Sequence, residues 1–317
     1  MSQIKSSISN NKTTIFRRFI QLTAFIVINY VIIEAIFSIN LKSFEGFVKI
    51  LPILNSPRNP LSKGVGFVEY MFYSIAQGEF PFFIIALFLL FILFTNRFFC
   101  GWICPIGTIQ DGLSTLGGKN KTFKKRTTHE SLLKFKKLII IFLLIIIVPL
   151  GVTKITDIAF HNDYKENLGS WAEQPVGFFS LSEYIFVFFP NLMTEIFENW
   201  EQTALEPLFS DFWVFFFFLF YLIVILLAIF YPRFYCKYIC PFAAIASKLS
   251  NYSFLKLTRS PVRCVGRADC GICERVCPKE IRILDEPYEF FTGNGECNLC
   301  LRCKEKCPYN AIGIRFG

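Results

Sequence analysis

Four cysteines near the C-terminus, Cys297, Cys300, Cys303 and Cys307, follow the spacing C-x2-C-x2-C-x3-C and run straight into Pro308. That run is a ligand loop for a 4Fe–4S cluster of the bacterial ferredoxin type. Three thiolates on one tight loop take three corners of the cube, and the fourth cysteine opens a segment that the proline bends away. Cys264, Cys270, Cys273 and Cys277-Pro278 repeat the pattern, with a first gap of five residues instead of two. In two-cluster ferredoxins the fourth cysteine of each run ligates the other cluster. One cluster is therefore expected on Cys264, Cys270, Cys273 and Cys307, and a second on Cys297, Cys300, Cys303 and Cys277. The crossing staples two short halves that would bury too little apolar surface alone. Zinc knuckles fit poorly, because no histidine lies in this tail and two Cys-Pro ends in register are not a zinc pattern. A disulfide framework needs an oxidising compartment, which the chain's topology argues against.

The rest of the chain is too apolar for a soluble protein. Of its 317 residues, 53% are hydrophobic and 40 are phenylalanine, and the apolar residues come in unbroken runs. The net charge of +9 does not mark a nucleic-acid binder. The tail from Cys264 carries eight Lys/Arg and eight Asp/Glu, so the excess lies in loops beside the apolar runs, where cytoplasmic loops collect it.

Read along the chain, residues 1–14 are polar and expected to be disordered. Four spans are expected at 19–39, 80–96, 138–155 and 212–231, the first behind Arg17-Arg18 and read as a retained anchor rather than a cleaved signal. Residues 40–79 are expected as a first outer loop. The loop at 97–137 has nine Lys/Arg against Asp111 and Glu130, whereas 151–211 has ten Asp/Glu against Lys154 and Lys165. That contrast puts the outer loop 156–211 outside, with 178–197 resting on the bilayer surface. Both termini and all twelve cysteines then lie inside. The expected fold is membrane α-helical: a four-span domain at 15–260, and an α+β two-cluster ferredoxin domain at 261–317.

The second and fourth spans end in matching motifs, RFFCGWICP at Arg97–Pro105 and RFYCKYICP at Arg233–Pro241. The membrane domain therefore reads as two parallel hairpin repeats about an axis along the membrane normal, with Cys100 facing Cys236 and Cys104 facing Cys240. Four thiolates meeting there suit a third iron–sulfur centre, a metal ion or a redox dithiol; the spacing leaves all three open.

Haem has no support. His129 and His161 are the only histidines, both in loops, and no C-x-x-C-H occurs. No nucleotide-binding glycine loop occurs either. Glu34 within the first span, and Asp157 with His161 at the outer surface, are the candidates for exchanging protons with a quinol. No residue is identified as catalytic.

With both motif types present, the chain resembles the NapH/NosR/MauN group of membrane-bound ferredoxin-like proteins over residues 15–317, and NapH most of all. The resemblance implies an inner-membrane oxidoreductase subunit of a quinol dehydrogenase. Its electrons would pass between the quinone pool and a periplasmic iron–sulfur or cytochrome partner serving nitrate or nitrous oxide reduction. The related CcoG proteins imply the alternative, a copper(II) reductase and metal-delivery factor using the Cys-x3-Cys-Pro thiolates as soft ligands.

Overall fold

The structure is a computed structural model that describes residues 11–38, 66–117, 126–169, 172, 176–198, 206–209 and 212–317. The first helix among the described residues, Lys12–Ile28, is inside out. Arg17 and Gln21 are buried, while Ile15, Phe16, Phe19, Leu22 and Ile26 are exposed. Polar groups find partners in the protein and the apolar stripe faces outward, as an apolar surround demands. The helix starts at Lys12, inside the stretch expected to be disordered. Residues 1–10 lie outside the described residues.

Two of the four expected spans are helices long and apolar enough to cross a membrane, Arg126–Thr156 and Phe212–Phe230. Their outer faces are bare: Leu138, Ile141, Ile145, Val148 and Ile155 on one, Phe212, Trp213, Ile223 and Leu226 on the other. Apolar stripes of that extent suit lipid rather than water. Pro149 lies within the longer helix without ending it. The other two expected spans differ from the reading. The first breaks after Ile28 at Asn29-Tyr30 and resumes as the short helix Val31–Phe37. The second, Phe82–Thr95, is apolar throughout but has 14 residues. Ahead of it lies a helix that the expected outer loop 40–79 did not anticipate, Phe67–Ala76; residues 39–65 are outside the described set.

The segment expected as an outer loop at 156–211 contains the exposed helix Ile158–Leu168 and a second half-helix. That half-helix starts at Leu181–Glu183, widens into a π turn at Tyr184–Phe188 and ends as Phe189–Glu198. The repeats interlock. The Phe212–Phe230 helix packs on Pro105–Leu116 behind the first cysteine motif, and Phe82–Thr95 packs on Pro241–Leu249 behind the second. Phe88 meets Phe242 edge-on at 5.4 Å in the core between them.

The tail is closed by two antiparallel strands, β1 (Leu255–Arg259) and β2 (Ile312–Phe316), with Leu257 opposite Ile314. The ferredoxin-like unit thus begins at Leu255, ahead of the expected boundary at 261. Leu257, Ile283, Phe291 and Ile312 form its small buried core together with Cys273, Cys297 and Cys303.

Candidate iron–sulfur centres and a buried carboxylate pair

Two cavities in the tail are each lined by four cysteines. Cys264, Cys270, Cys273 and Cys307 surround one of about 350 Å³. Cys277, Cys297, Cys300 and Cys303 surround another of about 320 Å³. Each set draws three cysteines from one run and the fourth from the other. Among the described residues, no three His, Cys, Asp or Glu side chains converge as they would on a single metal ion. Sulfurs spread around a cavity suit a cube of metal and sulfide instead. Burial pushes the thiols of Cys273 and Cys277 up to about 11 and that of Cys297 to about 12. Loading such a site therefore exchanges protons for iron. The first cavity is the shallower one: Cys264, Cys270 and Cys307 are half-buried, whereas Cys297, Cys300 and Cys303 are buried.

The Cys-x3-Cys-Pro motifs set their four cysteines within electrostatic reach of one another. Cys100, Cys104, Cys236 and Cys240 are all buried, and the Cys104 thiol feels the charge of the other three. The local structure follows from the motif. Cys100 and Cys236 sit in one-turn helices, Phe98–Trp102 and Phe234–Tyr238. Cys104 and Cys240 then cap Pro105–Leu116 and Pro241–Leu249, with the proline at the first helical position, where it needs no N–H partner. Free backbone N–H groups at both helix starts reach the thiols, from Gly107 to Cys104 and from Ala243 to Cys240. Gln110 Nε2 donates to Cys236 Sγ at 3.0 Å. Burial still dominates and pushes the Cys240 thiol up to about 12.

The cysteine sites stand in a row. Trp102 Nε1 donates to the Leu299 carbonyl at 2.8 Å, joining the first motif to the Cys297–Cys300 loop. Gly101 is required there, because a Cβ would sit 2.2 Å from the Asn298 carbonyl oxygen. Lys279, two residues past Cys277, donates to the Cys236 carbonyl at 3.1 Å. Gly101→Ala is expected to force these backbones apart and lower the melting temperature by several degrees, about 1–3 kcal/mol of overpacking; an unchanged melting curve would mean the contact is not made.

Buried ion pairs lock the row. Arg233 grips Asp111 through two bonds of 2.8 Å, and Arg18 and Arg17 approach the same carboxylate at 3.1 and 3.4 Å. Burial alone would raise the Asp111 carboxyl; Arg233, with Arg17 and Arg18, outweighs it and holds the group well below the usual carboxylate range. Arg97 occupies the equivalent place in the other repeat. The aligned partner position there is Ser247, which has no charge, and Glu296 of the ferredoxin-like unit fills the role at 3.0 Å from Arg97. Lys136 bonds the same carboxylate. Burial would raise Glu296, but Arg97, Lys136 and Lys279 bring it down to about 2. A third cluster joins Lys237 and His129 to Glu280, at 3.1 and 3.3 Å.

A third cavity, of about 430 Å³, opens against Cys236 and Cys240. Glu69, Ser180, Ser182 and Tyr235 supply its polar groups, among Val68, Ile106, Val176 and Phe242. Ser180 Oγ donates to Glu69 Oε1 at 2.8 Å and bonds Ser182 Oγ at 2.9 Å. Glu69 Oε2 is buried without a hydrogen-bond partner among the described residues. Glu183, 4% exposed, lies within electrostatic reach of it. These residues were not expected from the spacing of motifs, yet the chain carries a signal for them. Glu69-Tyr70-Met71-Phe72 and Glu183-Tyr184-Ile185-Phe186 share three of four residues. Each opens the half-helix ahead of one apolar helix, so the internal repeat reaches well before the cysteine motifs.

The acid and histidine candidates from the sequence lie elsewhere. Glu34 lines none of these three cavities. Asp157 caps the Ile158–Leu168 helix, accepting from Ala159 and Phe160 at 2.9 and 3.2 Å, and His161 Nδ1 lies 3.1 Å from the Leu150 carbonyl. Beside the ligand cysteines, Arg267 is engaged by Glu274 and Asp285, and Arg275 donates to the Cys270 carbonyl.

Comparison with known proteins bears on the repeats directly. The family described as "4Fe-4S binding domain" matches residues 78–124 and 213–253, the two segments that end in the cysteine motifs and the helices behind them. The candidate electron transport protein YccM of Escherichia coli K12 is 24% identical over 74% of this chain and 57% of its own length. An uncharacterized protein of Methanocaldococcus jannaschii, MJ0749, is 25% identical over 73% of this chain and 68% of its own. No solved structure matches. The chain spans little more than half of the first of these relatives. The two matches together support an iron–sulfur protein of electron transfer, and the repeats themselves carry the 4Fe–4S signal.

Proposed function

We propose that the chain is the membrane component of a quinol dehydrogenase of the NapH kind, an electron relay in a bacterial inner membrane. Each four-cysteine cavity of the tail holds one 4Fe–4S cluster, and Cys100, Cys104, Cys236 and Cys240 hold a third iron–sulfur centre. Such centres supply one-electron transfer at potentials set by charge, hydrogen bonds and burial. The chain's own residues do the rest. Trp102, Gly101 and Lys279 hold the sites in backbone contact. The buried ion pairs keep water out between them, and the helix starts behind Cys104 and Cys240 favour thiolate.

The observation that carries the reading is the contact of three four-cysteine sites in sequence, from half-buried Cys264 to a cavity in the membrane domain. The charge contrast between the loops supports a cytoplasmic ferredoxin-like unit. A periplasmic iron–sulfur or cytochrome subunit, serving nitrate or nitrous oxide reduction, is the partner this reading needs. The test is iron content in anaerobically purified protein. Cys303→Ala is expected to lose about four irons, one cluster's worth, with the other centres retained. Unchanged iron would overturn the ligand assignment, and copper bound through Cys236 and Cys240 would favour the copper-reducing alternative.

A further inference from the structure

The cavity beside Cys236 and Cys240 has features that electron relay alone does not require. Its walls are apolar, and a handful of polar groups converge at one end. Those groups include an ionisable residue in the membrane domain, where an uncompensated carboxylate is expensive and marks function by default. Glu69 Oε2 faces no donor among the described residues, while Ser180 fixes Oε1. Glu183 is its counterpart in the second repeat, so the two halves of the molecule bring one carboxylate each to the same place.

A ligand with a cationic group would meet too few polar atoms among the described residues to replace its hydration. What fits is a neutral, mostly apolar molecule that presents hydroxyl groups to Glu69 and exchanges electrons with the cysteine site at the other wall.

Resting on the relay reading above, we propose that this cavity binds a lipid-soluble hydroquinone and that the Glu69–Glu183 pair accepts its protons. The hydroquinone hydroxyl donates to Glu69 Oε2, the one oxygen of that carboxylate left open. Two O–H bonds break. Two electrons leave singly past Cys236 and Cys240 and would reduce two of the three proposed iron–sulfur sites by one equivalent each. The first proton goes to Glu69 and moves on to Glu183, freeing Glu69 to take the second; the product leaves as the quinone. Ser180 and Ser182 hold the acceptor carboxylate in place and are positioning residues.

The test uses the full chain in membranes or detergent, without air. A short-chain benzohydroquinone is the reductant, and bleaching of the visible iron–sulfur absorbance is the readout. Glu69→Gln keeps the shape and removes the base. It is expected to slow hydroquinone-driven reduction about a hundredfold, the loss typical for a general base, while iron content and reduction by dithionite stay as in the wild type. Glu183→Gln is expected to slow it too, by about tenfold, because the proton then has no second acceptor. As a second measurement on the unaltered protein, a photoreactive benzoquinone is expected to label the peptides holding Val68-Glu69 and Ser180–Ser182. Wild-type rates in both variants, or labelling confined to other peptides, would overturn the site while leaving the relay standing. Clusters that dithionite reduces but no hydroquinone does would overturn the relay's quinol step and this proposal with it.

Discussion

Asp111→Asn is expected to cost about 3–5 kcal/mol of stability, the usual penalty for removing one partner of a buried ion pair. Arg233 is fully buried, and two of its nitrogens bond the carboxylate at 2.8 Å. Arg17, also fully buried, depends on the same group for its charge. The asparagine would leave these guanidiniums facing a neutral amide. Because Arg17, Arg18 and Gln21 belong to the first helix, that helix should detach together with its contact between Thr14 and Glu305. A thermal melt in detergent, with protease cleavage near Thr14 as a local probe, checks both. A melting temperature within two degrees of wild type would show that the arginines are not held as described.

Glu296→Gln should have an effect of similar size but in a different place. Arg97 and Lys136 are fully buried and Lys279 nearly so. Glu296 reaches them from the ferredoxin-like unit. The glutamine keeps the shape and deletes the charge, leaving buried cations uncompensated at a cost of about 3–5 kcal/mol. The unit should undock while its own cysteine sites survive. Expected, therefore, are normal iron in the tail, faster proteolysis in the stretch before β1, and slow electron passage past Trp102. Replacing Arg97 and Glu296 together by apolar residues should cost less than either change alone. The same pair gives docking a pH dependence. Glu296 sits at about 2 in the folded protein, below its ordinary 4.5. Its contribution is complete above about 4.5 and is lost as pH falls toward 2. A tail that stays docked in the variant would contradict this account of the interface.

Legibility differed sharply between parts. The cysteine runs fix their own geometry, because a tight loop with three thiolates leaves the fourth no nearby site, and both cavities contain the crossed sets. The repeat was readable from nine aligned residues, and the symmetry it implies accounts for four cysteines lying within electrostatic reach of one another. Long apolar runs, as in Arg126–Thr156, became helices long enough to cross a membrane, whereas the other two expected spans are a broken helix and a short one. Phe67–Ala76 was hidden because ten apolar-rich residues behind a Pro/Gly stretch look like loop. The kinship of Glu69 with Glu183 shows only when the two are placed within electrostatic reach of each other in the fold. The docking pairs were out of reach of pattern reading: Arg97 and Glu296 lie 199 residues apart, and nothing local in either marks the other.

The most direct test of the central claim, three iron–sulfur sites in one chain, is a count of iron and acid-labile sulfide per chain in anaerobically purified protein. Wild type should carry about twelve of each, and the Cys236→Ala/Cys240→Ala double variant about eight, with the loss confined to one set of electron paramagnetic resonance signals. Iron-free protein, or a double variant with the same iron as wild type, would contradict it.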